Sequence, residues 1–233
     1  MRAPPPILRD TLLVVLVYMA ARYWIYSELP VHTAAEWSRR DALMCLPRLA
    51  AFLALRECNR QRWGNAVPFN FAAKGRGFLL PALLLVGAES LRTFVFGQGP
   101  AWPLDLALVG LAATVPVVLF EEYAFRGGIL HGLASRFGRP TALLGGSVLF
   151  TVFHLQAQPF SIWPAIFLLG LVWSGLRLRG LGLGWLALIH FIVDGLYFAK
   201  LDFPSAFSGP GYLYHGLLLV AAVWAWPKGG AKE

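Results

Sequence analysis

Phe120-Glu121-Glu122-Tyr123-Ala124-Phe125-Arg126-Gly127-Gly128 is the stretch that decides the fold. It follows Leu104 to Leu119, an apolar run long enough to enter a bilayer. Two adjacent carboxylates and an arginine therefore stand where hydrocarbon is expected. Ionisable groups inside a membrane span are costly and are retained for function, which makes this the candidate site. Helical periodicity separates the two acids. Glu122 and Arg126 are four residues apart and share a face, so they can pair. Glu121 is turned about 100° away and is free for chemistry.

The surrounding composition fits that setting. The chain of 233 residues is 58% hydrophobic and 14% charged, against about 25% charged in soluble domains. Mean hydropathy is +0.60. Apolar segments run over about 8–26, 42–58, 77–96, 104–133, 140–157, 160–176, 183–200 and 211–226, each near the length that crosses a ~30 Å core. These predict an all-α polytopic membrane protein of about eight transmembrane helices, a single domain over 1–233. The second segment is short and carries Pro47 and Arg48. Arg2 and Arg9 precede the first segment, but no small-residue cleavage site follows it, so the first segment is expected to stay as a span.

Charge gives an orientation. Of 20 Lys and Arg residues, fourteen fall on the side of the N-terminus: Arg2, Arg9, Arg56, Arg60, Arg62, Lys74, Arg76, Arg126, Arg136, Arg139, Arg177, Arg179, Lys228 and Lys232. Arg39, Arg40 and Lys200 fall on the other side, and Arg22, Arg48 and Arg92 lie within spans. The bias predicts both termini in the cytoplasm. The net charge of +8 then belongs to orientation and anionic lipid, not to nucleic acid. Cys45 and Cys58 sit at opposite ends of a predicted helix, too far apart for a disulfide.

The fourth span is expected to continue past the glutamates, with Gly138-Arg139-Pro140 as its break. Glu121 would then stand about 18 Å above the cytoplasmic end, reachable by water from that side. Two later spans carry matching polar groups. Phe150 and His154 share a face of the fifth, about 22 Å up for His154; His190 and Asp194 share a face of the seventh, about 12 Å up for His190. With tilt, the three sets can meet in one cavity.

The set Glu-Glu-x-x-x-Arg, Phe-x-x-x-His and His-x-x-x-Asp, in that order on separate spans, resembles the CAAX-protease and bacteriocin-processing family of intramembrane glutamic endopeptidases. The resemblance covers about 75–200, the expected catalytic core; residues 1–74 form N-terminal helices that add little to it. It implies that Glu121 and His154 activate a water for peptide hydrolysis, and that His190 with Asp194 stabilises the oxyanion. Glu122, Arg126 and Phe150 are the supporting set. Prenyl endopeptidases of this kind carry Asn at the last position, where this chain has Asp194, as many bacterial relatives do. An ionised aspartate would repel an oxyanion, so either Asp194 is protonated or it orients His190. The expected substrate is a membrane-anchored protein or peptide: a prenylated protein, a leader, or a C-terminal sorting signal. The expected location is a bacterial inner (plasma) membrane, with the active site open to the cytoplasm and no cofactor.

The chemistry stands beside the resemblance. A carboxylate and a histidine in low dielectric can together take a proton from water and return it to a leaving amine. A second histidine donating a hydrogen bond can stabilise tetrahedral charge. No Ser or Cys sits in a nucleophile constellation. Three other readings compete. Glu121, His154 and His190 could ligate zinc, although His-Glu-x-x-His is absent. A Glu–His proton relay would suit a transporter, although the expected inverted repeats are missing. A non-catalytic scaffold would not need Glu121 and His154. Glu89 and Arg92, three residues apart, read as a structural pair. His131 and Arg136 read as interfacial, and His32 and His215 as loop or helix-end residues. Trp24, Trp102, Trp163, Trp185 and Trp226 read as an aromatic belt.

Overall fold

With no water to satisfy a backbone in hydrocarbon, apolar runs of this length must bond within themselves as helices. The computed structural model describes residues 6–29, 31, 33–98, 101–155, 158–199 and 208–227, and these fold as helices. In order they are α1 (Pro6–Glu28), α2 (Ala34–Gln61), α3 (Leu79–Ser90), α4 (Leu104–Glu121), α5 (Leu130–Phe137), α6 (Arg139–Phe153), α7 (Trp163–Leu178), α8 (Leu183–Leu196) and α9 (Gly209–Ala225). A π-helical segment, Glu122–Ile129, joins α4 to α5 in one rod, and another, Leu91–Val95, extends α3. Among the described residues the only β pairing is one isolated bridge, Ala73 to Leu181.

The rods correspond to the eight expected segments, but among the described residues two pass alone as membrane spans by length and composition: Leu104–Phe137 and Phe160–Leu178. Arg139–Phe153 and Leu183–Ala199 are apolar but shorter. The second rod is longer than expected. A capping box starts it early: Thr33 Oγ1 accepts from Glu36 N at 3.2 Å, and Glu36 Oε2 accepts from Thr33 N at 2.9 Å. The fourth rod ends at the expected break, where Gly138 takes φ +83°.

The surface is apolar. Leu16, Val17, Leu83, Leu104 and Val223 are each more than 60% exposed, while Glu89, Glu122 and Arg126 are buried. That inversion suits a lipid surround better than water. Trp24 and Trp185 are exposed as a belt requires, but Trp102 packs among Trp37 and Phe198. His32 and Lys200 lie outside the described residues. Cys45 and Cys58 are free thiols.

One end of the bundle is laced shut. Arg179 donates to the carbonyls of Gly77 (3.0 Å), Ala225 (3.2 Å) and Trp226 (3.0 Å). Gly182 N bonds Ala72 O at 2.7 Å, Gly184 N bonds Asn70 O at 2.8 Å, and Trp185 Nε1 donates to Phe71 O at 2.6 Å. The strand-like connection after α2 is thus strapped across the α7–α8 turn. At the same end α1 lies against the motif rod through Gly128 and Gly132. A Cβ on Gly132 would come within 2.7 Å of Leu8 Cβ, and one on Gly128 would collide with Thr11. Small residues four apart allow this close approach.

Candidate active site

α4 ends on Glu121 and the π-helical segment begins on Glu122. A π turn inside an α rod is rare and concentrates at functional sites. Here it holds Glu122, Tyr123, Ala124, Phe125, Arg126, Gly127, Gly128 and Ile129, all buried. The two acids part as the helical offset predicts. Glu121 lines a cavity of about 450 Å³. Glu122 is wholly buried and does not line it.

His154 comes to the same cavity, at the end of α6 and not inside the helix as expected. Its backbone N–H turns to Thr151 O at 2.9 Å, while Phe150 O accepts from its side-chain Nδ1 at 2.8 Å. A carbonyl only accepts, so Nδ1 carries the hydrogen and Nε2 of the neutral ring holds the lone pair. That Nε2 faces Glu121 Oε1 at 3.8 Å, beyond a direct hydrogen bond. The pair can share one small molecule between them.

His190 is set by the other glutamate. Its Nδ1 donates to Glu122 Oε1 at 2.8 Å, and Arg126 Nη1 lies 3.3 Å from the same oxygen. The expected Glu122–Arg126 pair therefore exists, as an electrostatic contact without hydrogen-bond geometry. The Nε2 of His190 faces Asp194 Oδ1 at 3.5 Å, and Trp173 stacks on the ring at 5.1 Å and 28°. Phe150 joins the two halves: its ring centroid is 4.1 Å from the Arg126 guanidinium carbon and 4.5 Å from the His154 ring.

The structure thus brings Glu121, His154, His190 and Asp194 to one cavity, with Glu122, Arg126 and Phe150 behind them. Sequence reading missed three contributors. Trp173 gave no signal among apolar neighbours. Arg22 and His215 did: Arg22 was a charge inside an apolar span, and both line the cavity. The Glu89–Arg92 pair forms at 2.8 Å, as expected, and also lines the cavity. Tyr214 donates a further hydrogen bond to Glu89. His131 is exposed.

Two orientation expectations exclude each other. The cavity is lined by the last turns of α1, α3 and α8 and the first turns of α2, α7 and α9, so it opens at the end opposite the laced one. Among the described residues, Arg9, Arg60, Arg62, Lys74, Arg76, Arg136, Arg139, Arg177 and Arg179 of the cations that predict a cytoplasmic N-terminus lie with the laced end, on whose side α1 begins and α9 finishes, while Arg126 is buried beside Glu122. A cavity facing the cytoplasm and termini in the cytoplasm cannot both hold.

Among the described residues no group of three or more His, Cys, Asp or Glu side chains converges to hold a metal ion.

An apolar helical bundle with an acid–histidine centre inside has the pattern of an integral membrane protein. Residues 103–196, from the start of α4 to the end of α8, match the family described as Type II CAAX prenyl endopeptidase Rce1-like. The match begins at α4, later than the expected core. No curated protein and no solved structure matches the chain.

Proposed function

We propose that this protein is an intramembrane endopeptidase of the glutamic type. The observation that carries the reading is the facing of Glu121 Oε1 and the His154 Nε2 lone pair across 3.8 Å. A water held there attacks the substrate's carbonyl carbon and gives its proton to the pair. The oxyanion that forms accepts from Nε2 of His190 in its doubly protonated, cationic form, whose Nδ1–H Glu122 holds in place. As the C–N bond breaks, His154 returns the proton to the departing amine. The products are a carboxylic acid and a shortened peptide with a free amine, and no covalent intermediate forms.

Asp194 sits on the Nε2 side of His190, and Glu122 already orients the ring from Nδ1. Asp194 therefore serves in its protonated form as a second donor, or steadies His190 from the cavity side. The substrate is the C-terminal part of a membrane-anchored protein, either prenylated, as the matched family's description says, or carrying a sorting signal. The eight rods cross the bilayer together, with the Asp41–Arg48 pair of α2 turned into the bundle.

Comparing the termini of membrane proteins with and without the gene, by mass spectrometry, tests the reading. One or more C-termini should lengthen when the gene is removed. Unchanged termini across the membrane proteome, together with no cleavage by purified protein, would overturn it. Purified protein should also cleave after exhaustive chelation; activity restored only by zinc would restore the metalloprotease reading.

A further inference from the structure

Besides its histidines, the cavity is faced by eight charged residues. Four are carboxylates, and each has a basic partner. Asp41 pairs with Arg48 at 2.6 Å and Glu89 with Arg92 at 2.8 Å. Glu121 faces His154, and Asp194 faces His190. Two cations are left over. Neither Arg22 nor Arg40 has a carboxylate within ion-pair distance among the described residues.

These two arginines share one platform. The guanidinium carbons of Arg22 and Arg40 stand 5.0 and 4.0 Å from the Tyr26 ring centroid. Arg22 is only 5% exposed. It donates from Nη1 to Phe153 O at 3.2 Å, and its ring contact with Phe153 is 5.1 Å. Its Nε is buried and has no hydrogen-bond partner. Holding an arginine this deep without an anion is costly, since a buried guanidinium needs a counter-charge. Phe153 precedes His154, so whatever Arg22 binds lies beside the acid–histidine pair.

We propose that Arg22 and Arg40 form an anion subsite that receives the free C-terminal carboxylate of the peptide being cut. This rests on the endopeptidase reading above and adds to it. A planar carboxylate matches the guanidinium fork. Anchoring the chain end beside the cleavage point fixes how many residues are released. The subsite thus makes the enzyme select chain ends over internal segments. A lipid phosphate would satisfy the same cations, but the burial of Arg22 next to His154 favours a ligand that enters with the substrate.

The test uses full-length protein in nanodiscs and a fluorescent, farnesylated-cysteine peptide with a three-residue C-terminal extension. The peptide is supplied as free acid and as C-terminal amide. Wild type should prefer the acid by about tenfold or more in kcat/KM, the scale of a charge-assisted hydrogen bond, mainly through KM. Arg22→Gln should bring the two forms together by raising KM for the acid. Arg40→Gln should narrow the gap, and Arg22→Lys should keep part of it. If Arg22→Gln does not fold, the Arg40 and Lys variants carry the same readout. Binding to Glu121→Gln protein, read by anisotropy, should show the same acid preference without turnover.

Equal treatment of acid and amide by wild type overturns the subsite, as does an acid preference that survives Arg22→Gln and Arg40→Gln. Repeating the assay with phosphatidylglycerol in place of zwitterionic lipid identifies a headgroup site: it would weaken both peptide forms alike and also overturn the proposal. A peptide bound preferentially as acid but never cut by wild type keeps the subsite and sinks the endopeptidase reading. A peptide cut without acid preference does the reverse, and binding of neither form counts against both.

Discussion

Glu121 and Glu122 are neighbours in the chain with opposite surroundings. One faces the cavity and His154; the other is sealed between Arg126 and His190. Glu121→Gln keeps shape and removes the base, so it should melt like wild type and lose about 10²- to 10⁴-fold in turnover. Glu122→Gln leaves Arg126 buried without its counter-charge. That loss is on the order of 3–5 kcal/mol, so this variant should melt early and also lose activity as His190 is freed. Arg126→Met should show the same stability defect, and the double change should cost less than the sum of the singles, because the two residues are in contact. Melting curves beside a cleavage assay read all four. Should Glu121→Gln melt early while Glu122→Gln stays stable and inactive, the roles are reversed. The separation of the two acids was legible in the sequence because it needs only helical geometry. The bond from Glu122 to His190 was not, because it joins residues 68 apart, and pattern alone does not say which rods touch. Arg22 was visible as a charge in an apolar run, but its missing partner is a fact of three-dimensional packing.

At the scale of the element, the motif rod depends on backbone approach. Gly128 faces Thr11 so closely that a Cβ would collide with it, whereas Gly87 in α3 has nothing within 4 Å of the same position. Gly128→Ala should therefore destabilise by about 1–3 kcal/mol, the usual range for overpacking. Gly87→Ala should be neutral or slightly stabilising, because alanine loses less backbone freedom in a helix. Detergent melting of the two variants makes the comparison, and equal shifts would refute the tight α1 contact. Helix positions were legible from apolar runs, and Gly138 marked the end of the motif rod. Other boundaries were not. α2 begins early because Thr33 and Glu36 cap it, and α6 ends at Phe153 because His154 takes up the Phe150 carbonyl. Both outcomes turn on side-chain hydrogen bonds that hydropathy does not register. The π segment is likewise invisible to an analysis that assumes one helical period.

At the scale of the whole molecule, geometry links the cavity to the membrane side. The mouth lies at the end of the bundle opposite the one where α1 begins and α9 finishes, so fixing one fixes the other. The loops and helix ends at the laced end carry most of the cations, while Arg39 and Arg40 mark the open end. Asp41 neutralises Arg48, and Glu89 neutralises Arg92, so those open-end cations count for less as topology signals. Positive charge near span ends is retained in the cytoplasm, so the laced end should lie there and the cavity should open to the opposite face. In a background without Cys45 and Cys58, a cysteine at exposed Phe137 should react with a membrane-impermeant maleimide only after the membrane is opened. One at exposed Arg39 should react in intact cells. The reverse pattern would place the mouth in the cytoplasm and the laced end outside, against the charge bias. Either result also selects the substrate pool, because only proteins whose C-terminal ends reach the mouth's side can place a chain end beside Glu121 and His154.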